Sequence, residues 1–159
     1  MKNSRTEKGN ILLVGIGNSG RRDDGLGWKF TDMARHLGYK EMDFEFRYQL
    51  QVEDVLMVCR YDKVVFADAS HTSIKEGFEI KPIKPAGHYF FSSHMQSPET
   101  ILYLAKELYN KTPEAYTLAI SGHNWGLGTV LSRAAQENLQ KAFRFFKSRF
   151  VLSSKESAE

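Results

Sequence analysis

Short apolar runs, each too short to be a helix, alternate along this chain with stretches whose apolar residues recur at helical spacing. That alternation restricts the fold more than any other feature. Residues 10–15 form a branched-apolar run ended by glycines, the pattern of a strand buried on both faces. Residues 44–50 predict a second strand. Residues 63–69 predict a third, with Val64, Val65, Phe66 and Ala67 unbroken by a polar residue. Residues 78–83 alternate apolar and polar, as a half-exposed edge strand does, and residues 115–120 read as the last strand. Helical spacing joins Trp28, Phe30, Met33, Ala34 and Leu37 over residues 26–37, with Gly38 placed to end that helix. A short helix is expected over residues 52–59, with Val55, Leu56 and Val58 facing inward. The next opens at Ser97-Pro98-Glu99, a cap, a proline at the first helical position and an acid at the positive dipole end. A long amphipathic helix is expected over residues 130–146. Strands separated by helices predict a mostly parallel twisted sheet covered on both faces, with the edge strand antiparallel.

A chain of 159 residues is the size of one domain, since domains cluster at roughly 100–150 residues. We place that domain at residues 10–150, between tails at residues 1–9 and 151–159. The single cysteine, Cys59, excludes an internal disulfide and a thiolate metal cage. It sits on an expected helix and reads as a packing residue. No apolar run near the start is long enough for a membrane span or a signal-peptide core, so the expected location is the cytoplasm. A net charge of +3, without a basic stripe, does not suggest nucleic acid.

Ligands of a parallel sheet bind beyond the carboxyl ends of its strands. The loop after the first strand, residues 15–27, contains Gly15, Gly17 and Gly20 in a G-x-G-x-x-G arrangement, so a nucleotide-binding module is one reading. Against it, the helical periodicity starts only near Leu26, and Asp23 and Asp24 stand where phosphate charge would go. For these two acids a helix N-cap and a functional carboxylate are both open. Asp68 ends a strongly apolar strand, where an unpaired charge costs several kcal/mol. It is expected to cap a neighbouring turn or to hold a cation. His94 lies in a polar loop before the helix that opens at Ser97. Asp24, Asp68 and His94 thus converge on one mouth of the sheet. Two carboxylates and an imidazole suit nickel, zinc or manganese, and three protein ligands leave such a site open to substrate. Neither H-E-x-x-H nor G-x-S-x-G occurs. His123-Asn124-Trp125-Gly126 follows the last strand, and Trp125 either touches a peptide there or caps the core. His36 reads as structural, and His71 and His88 as loop residues.

In this order the motifs resemble the hydrogenase maturation endopeptidases. The resemblance rests on the strand and loop running from Leu12 to Gly27, on Phe66-Ala67-Asp68-Ala69, on Ser93-His94 with Ser97-Pro98, and on the strand ending Ser121-Gly122. It covers about residues 10–146. It implies a three-layer α/β/α sandwich and an endopeptidase that removes a C-terminal peptide from the precursor of a nickel–iron hydrogenase large subunit. The substrate's own nickel would be the recognition element, contacted by Asp24, Asp68 and His94, and other divalent cations would fit the same donors. No serine or cysteine nucleophile is implied. Arg21-Arg22, the loop around His94 and residues 123–129 do not point to a particular hydrogenase. Gly17-Asn18-Ser19-Gly20 also resembles the opening of peptidyl-tRNA hydrolases, but no histidine follows before His36, and no basic face accompanies it.

Overall fold

The computed structural model describes residues 10–88 and 96–152. Its centre is a five-stranded sheet of β1 (Ile11–Ile16), β2 (Met42–Arg47), β3 (Lys63–Ser70), β4 (Phe78–Ile83) and β5 (Glu114–Ser121), in the order β2-β1-β3-β5-β4. All neighbours are parallel except β4, which runs antiparallel to β5 at one edge. The helices are α1 (Leu26–Arg35), α2 (Val55–Val58), α3 (Pro98–Tyr109) and α4 (Arg133–Phe146). This is the mostly parallel, doubly covered sheet with an antiparallel edge that the alternation of elements predicts.

Successive residues of a strand face opposite sides, and both sides are apolar here. Ile11 and Leu13 of β1 pack with Phe30 of α1 and with Leu139 and Phe146 of α4. Leu12 and Val14 pack on the other side with Val58 of α2 and with Ile101 and Ala105 of α3. The unbroken apolar runs of β1 and β3 therefore reflect burial on both faces rather than strand propensity alone.

Several boundaries differ from the sequence expectation; the first helix, for example, ends at Arg35 rather than 37. β2 covers residues 42–47 rather than 44–50, because its only partner among the described residues is β1, which leaves the sheet at Ile16 opposite Arg47. α4 begins at Arg133 rather than 130, because the Ser132 side chain caps it by accepting the Ala135 N–H at 3.2 Å. At the C-terminal end, a π turn over Lys147–Leu152 carries Phe150 and Val151 into the core, so packing extends one residue past the expected limit of the domain. The 3₁₀ turn Val52–Asp54 followed by α2 fills the place of the helix expected over 52–59; Val55 and Val58 are buried as expected, but Leu56 is exposed, because one turn of helix presents only one face to the core.

After β1 the chain passes through α1 to β2 on one side of the sheet, whereas β3 lies on the other side. The carboxyl ends of β1 and β3 thus border the point where strand order reverses, the crevice in which α/β sheets bind ligands. The start of α1 is pressed against this point. A Cβ on Gly27 would strike the Ala67 carbonyl and lie 2.5 Å from that of Ile16. One on Gly15 would lie 2.6 Å from the Gly27 carbonyl and 2.5 Å from Thr31 Oγ1. Gly27→Ala should therefore destabilise the fold by about 1–3 kcal/mol, the range for overpacking. Gly87→Ala, where no atom lies within 4 Å of the added methyl, should be nearly neutral. Urea unfolding of the two variants side by side checks this, and equal midpoints would contradict the close approach.

Candidate functional site

The loop leaving β1 closes on itself. Gly17 turns it at φ 140°, a conformation that favours glycine, and its N–H donates to the Arg47 carbonyl at 3.0 Å. The Asn18 N–H donates to Asp24 twice, to the main-chain carbonyl at 3.2 Å and to Oδ2 at 3.0 Å. Gly20 N–H donates to Asn18 Oδ1 at 2.8 Å, and Arg21 N–H to the Asn18 carbonyl at 3.1 Å. A phosphate-binding loop needs such amides free and directed at the ligand. Those of Gly17, Asn18, Gly20 and Arg21 donate within the protein, and a carboxylate faces them. The nucleotide reading of this glycine pattern is therefore not supported.

Asp23 and Asp24 share a 3₁₀ turn, Arg22–Gly25, that precedes α1. Neither caps that helix, whose N-cap is Gly25 with no side-chain bond. Their environments are opposite. Asp23 is completely buried, and its carboxylate accepts four hydrogen bonds: from the N–H groups of His123, Asn124 and Ser132 at 2.7–2.8 Å, and from Ser132 Oγ at 2.7 Å. Burial opposes its ionisation, but these donors outweigh burial and hold the carboxyl below its ordinary 3.8. Asp23 is thus the clasp between the β1 loop and residues 122–132. Arg22 strengthens the clasp. It is held at φ 47° while its N–H donates to the Gly128 carbonyl at 2.8 Å and its Nε to that of Leu127 at 3.1 Å.

Asp24 remains half-buried and lines a cavity of about 720 Å³ at the crevice. Asp68 lines the same cavity. It lies near the end of β3 on the face that carries Val64 and Phe66, because residues two apart in a strand share a side. Gly17 separates the two acids: a Cβ there would meet the Asp24 carbonyl and lie 4.0 Å from Asp68 Oδ1. Asp68 Oδ1 accepts the Ala69 N–H at 2.7 Å, its only hydrogen bond among the described residues. Desolvation raises the Asp68 carboxyl most, the Ala69 N–H opposes that rise, and the charge of Asp24 adds to it, leaving it at about 7. An acid held protonated near neutrality by burial and a like charge gains most from a cation, which relieves both penalties at once.

Of the three residues expected to converge, the structure brings Asp24 and Asp68 together, and His94 falls in residues 89–95, outside the described residues. Gln96 and Ser97, which follow, line the cavity. Among the described residues no three His, Cys, Asp or Glu side chains cluster closely enough to hold a metal ion. The two carboxylates supply oxygen donors suited to a divalent cation, and they leave most of its coordination to other groups. Cys59 is half-buried beside the α2–α3 core and burial raises its thiol, which agrees with a packing role.

Sequence reasoning missed two rim residues, Tyr48 and His71, both of which line the cavity. His71 read as an ordinary loop residue because nothing local marks it. Its stacking on Trp125, at 3.6 Å between ring centroids and 17° between planes, is the signal, and it joins residues far apart in sequence. Trp125 is thus a support for a rim ring rather than a cap on the core.

No protein-family model and no curated protein matches the sequence. Solved structures do. The chain is similar to the nickel–iron hydrogenase maturation protease HycI of Thermococcus kodakarensis (22% identity, 87% of this chain and 90% of that one, TM-score 0.67). It is similar to the hydrogenase maturating endopeptidase HybD of E. coli (14% identity, 91% and 93%, TM-score 0.68). A hydrogenase 2 maturation peptidase from a Thaumarchaeota archaeon matches likewise (16% identity, 90% and 99%, TM-score 0.65). At these identities what is shared is the fold, and it is shared over nearly the full length of both chains.

The electrostatics of the site give a direct test. The fold holds the Asp68 proton to about pH 7 whereas the unfolded chain releases it near 3.8, so this group's contribution to stability falls as pH rises through that window. Asp68→Asn should therefore gain stability over the parent at about pH 8 and gain little at about pH 4. Asp24→Asn should lower the Asp68 titration, followed by carboxyl carbon NMR. An Asp68 midpoint near 4 in the parent protein would contradict the arrangement.

Proposed function

We propose that this chain is an endopeptidase that removes a C-terminal peptide from the nickel-loaded precursor of a nickel–iron hydrogenase large subunit. The observation that carries the reading is the pairing of Asp24 with Asp68 at the crevice of a sheet shared with solved hydrogenase maturation proteases. The motif order along the sequence supports the same reading independently.

In this proposal nickel arrives as part of the substrate. Asp24 and Asp68 contribute oxygen ligands from the loops after β1 and at the end of β3, and His94 contributes an imidazole nitrogen from the segment before α3. The cation displaces the proton that Asp68 holds to about pH 7, and metal capture and deprotonation are then a single event. A precursor without nickel offers nothing to offset two neighbouring carboxylates, so it is rejected. A cation held by Asp24, Asp68 and His94 would supply Lewis-acid polarisation of the scissile carbonyl or of a water, and no covalent acyl-enzyme is required. The partner is accordingly a protein. No helix among the described residues is long and apolar enough to cross a membrane.

The purified chain mixed with nickel-loaded precursor should shorten it, and nickel-free precursor should stay intact. Asp24→Ala, Asp68→Ala and His94→Ala should each lower cleavage by at least about a hundredfold, the scale for losing a metal-site ligand or its support. Cleavage of the loaded precursor should fall as pH drops below about 7, since protons compete with the cation at Asp68. Undiminished cleavage by the Asp68 variant would remove the residue assignments. Cleavage of nickel-free precursor at an equal rate would remove the recognition mechanism.

A further inference from the structure

The chain has two tryptophans, and each supports a ring at the rim of the carboxylate cavity. Trp28 lies against Tyr48, with ring centroids 5.3 Å apart at 34°. Trp125 stacks on His71 at 3.6 Å and 17°. Both supported rings are exposed, Tyr48 to 68%, yet both are held in place from behind. Trp28 is fixed by donating Nε1–H to the Arg47 carbonyl at 2.9 Å and by an edge-on contact with Phe46 at 5.4 Å. Trp125 is seated where Gly122 leaves no room for a side chain, since a Cβ there would lie 2.7 Å from the indole Cη2. The Asp23 clasp holds the loop around it at His123, Asn124 and Ser132.

The sheet order sets these rings apart. Tyr48 follows β2 and His71 follows β3, while β1, whose loop carries Asp24, lies between them. An extended chain crossing the carboxylate pair would pass between the two rings. Rigid aromatic rings with a polar edge give contact area at low entropic cost, and a phenol or imidazole can also hydrogen-bond a peptide group. Carboxylates on the cavity wall exclude a phosphodiester backbone, so the rings do not suit nucleic-acid bases.

We infer that Tyr48 and His71 are the substrate-gripping residues of this cleft, clamping an extended polypeptide main chain over Asp24 and Asp68, with Trp28 and Trp125 as their positioning residues. The inference rests on the peptidase reading and adds to it where the polypeptide lies. Its chemistry is binding: the rings pack on the peptide, and the Tyr48 hydroxyl and a His71 ring nitrogen bond to its amide groups.

Steady-state cleavage of nickel-loaded precursor tests it. Tyr48→Ala and His71→Ala should each raise KM by about tenfold, the scale for truncating an anchoring aromatic, with kcat nearly unchanged. Trp125→Leu should reproduce the His71→Ala shift, while Trp125→Phe, which keeps a flat ring, should largely restore the parent KM. The His71→Ala/Trp125→Leu double variant should be no worse than either single change, because both remove one unit. Should Trp125→Leu fail to fold, His71→Ala still decides, since it truncates an exposed side chain. An unchanged KM in both Tyr48→Ala and His71→Ala overturns the clamp and leaves the peptidase reading intact. Failure of the parent chain to cleave the precursor overturns that reading, and the clamp with it.

Discussion

The site depends on how closely the start of α1 approaches the sheet. Gly15 and Gly27 let a helix backbone touch strand backbone with no side chain between them, over the carboxyl ends of β1 and β3. A side chain at either position would move α1 outward and with it the turn that carries Asp24. Close-packed interiors absorb such shifts poorly. Of the glycines that suggest a nucleotide loop, Gly15 is therefore better explained by this packing and Gly17 by its turn, and the amides of Gly17, Asn18, Gly20 and Arg21 donate within the protein.

From that contact the two neighbouring acids diverge. Asp23 points into the protein and gathers four donors, so its charge is stabilised by hydrogen bonding rather than by water. Asp24 points the other way, into the cavity, where its charge acts on Asp68. One tightly bonded carboxylate thus ties the β1 loop to residues 122–132, and the adjacent one is left for a ligand. The same clasp holds the loop of Trp125, so the carboxylate site and one rim of the cleft share a single support.

Much of this was legible in the sequence. The apolar runs at β1 and β3, the edge-strand alternation of β4 and the Ser97-Pro98 start of α3 marked their elements within a residue or two. Element ends were legible only where a local signal existed. β2 stops early because β1 offers it no further partner, and α4 starts late because Ser132 serves both its own helix and Asp23. The first cause lies outside its segment, whereas the second joins a local serine cap to a long-range bond with Asp23.

For the site, the sequence by itself determined which residues are available: two acids in a glycine-rich loop, a third acid ending an apolar strand, and their order along the chain. The division of labour between Asp23 and Asp24 was decided only by the tertiary structure, since identical side chains one residue apart differ by which face of a 3₁₀ turn meets residues 123–132. The raised proton affinity of Asp68 was decided there too, because desolvation and the field of Asp24 arise only when β1 and β3 lie side by side. The pairing of His71 with Trp125 is likewise tertiary, joining the ends of β3 and β5 across a parallel register that no local pattern encodes. Spacing along a chain specifies what a strand or helix presents. Proximity across elements sets charge, burial and stacking, and these fix the chemistry of the cleft.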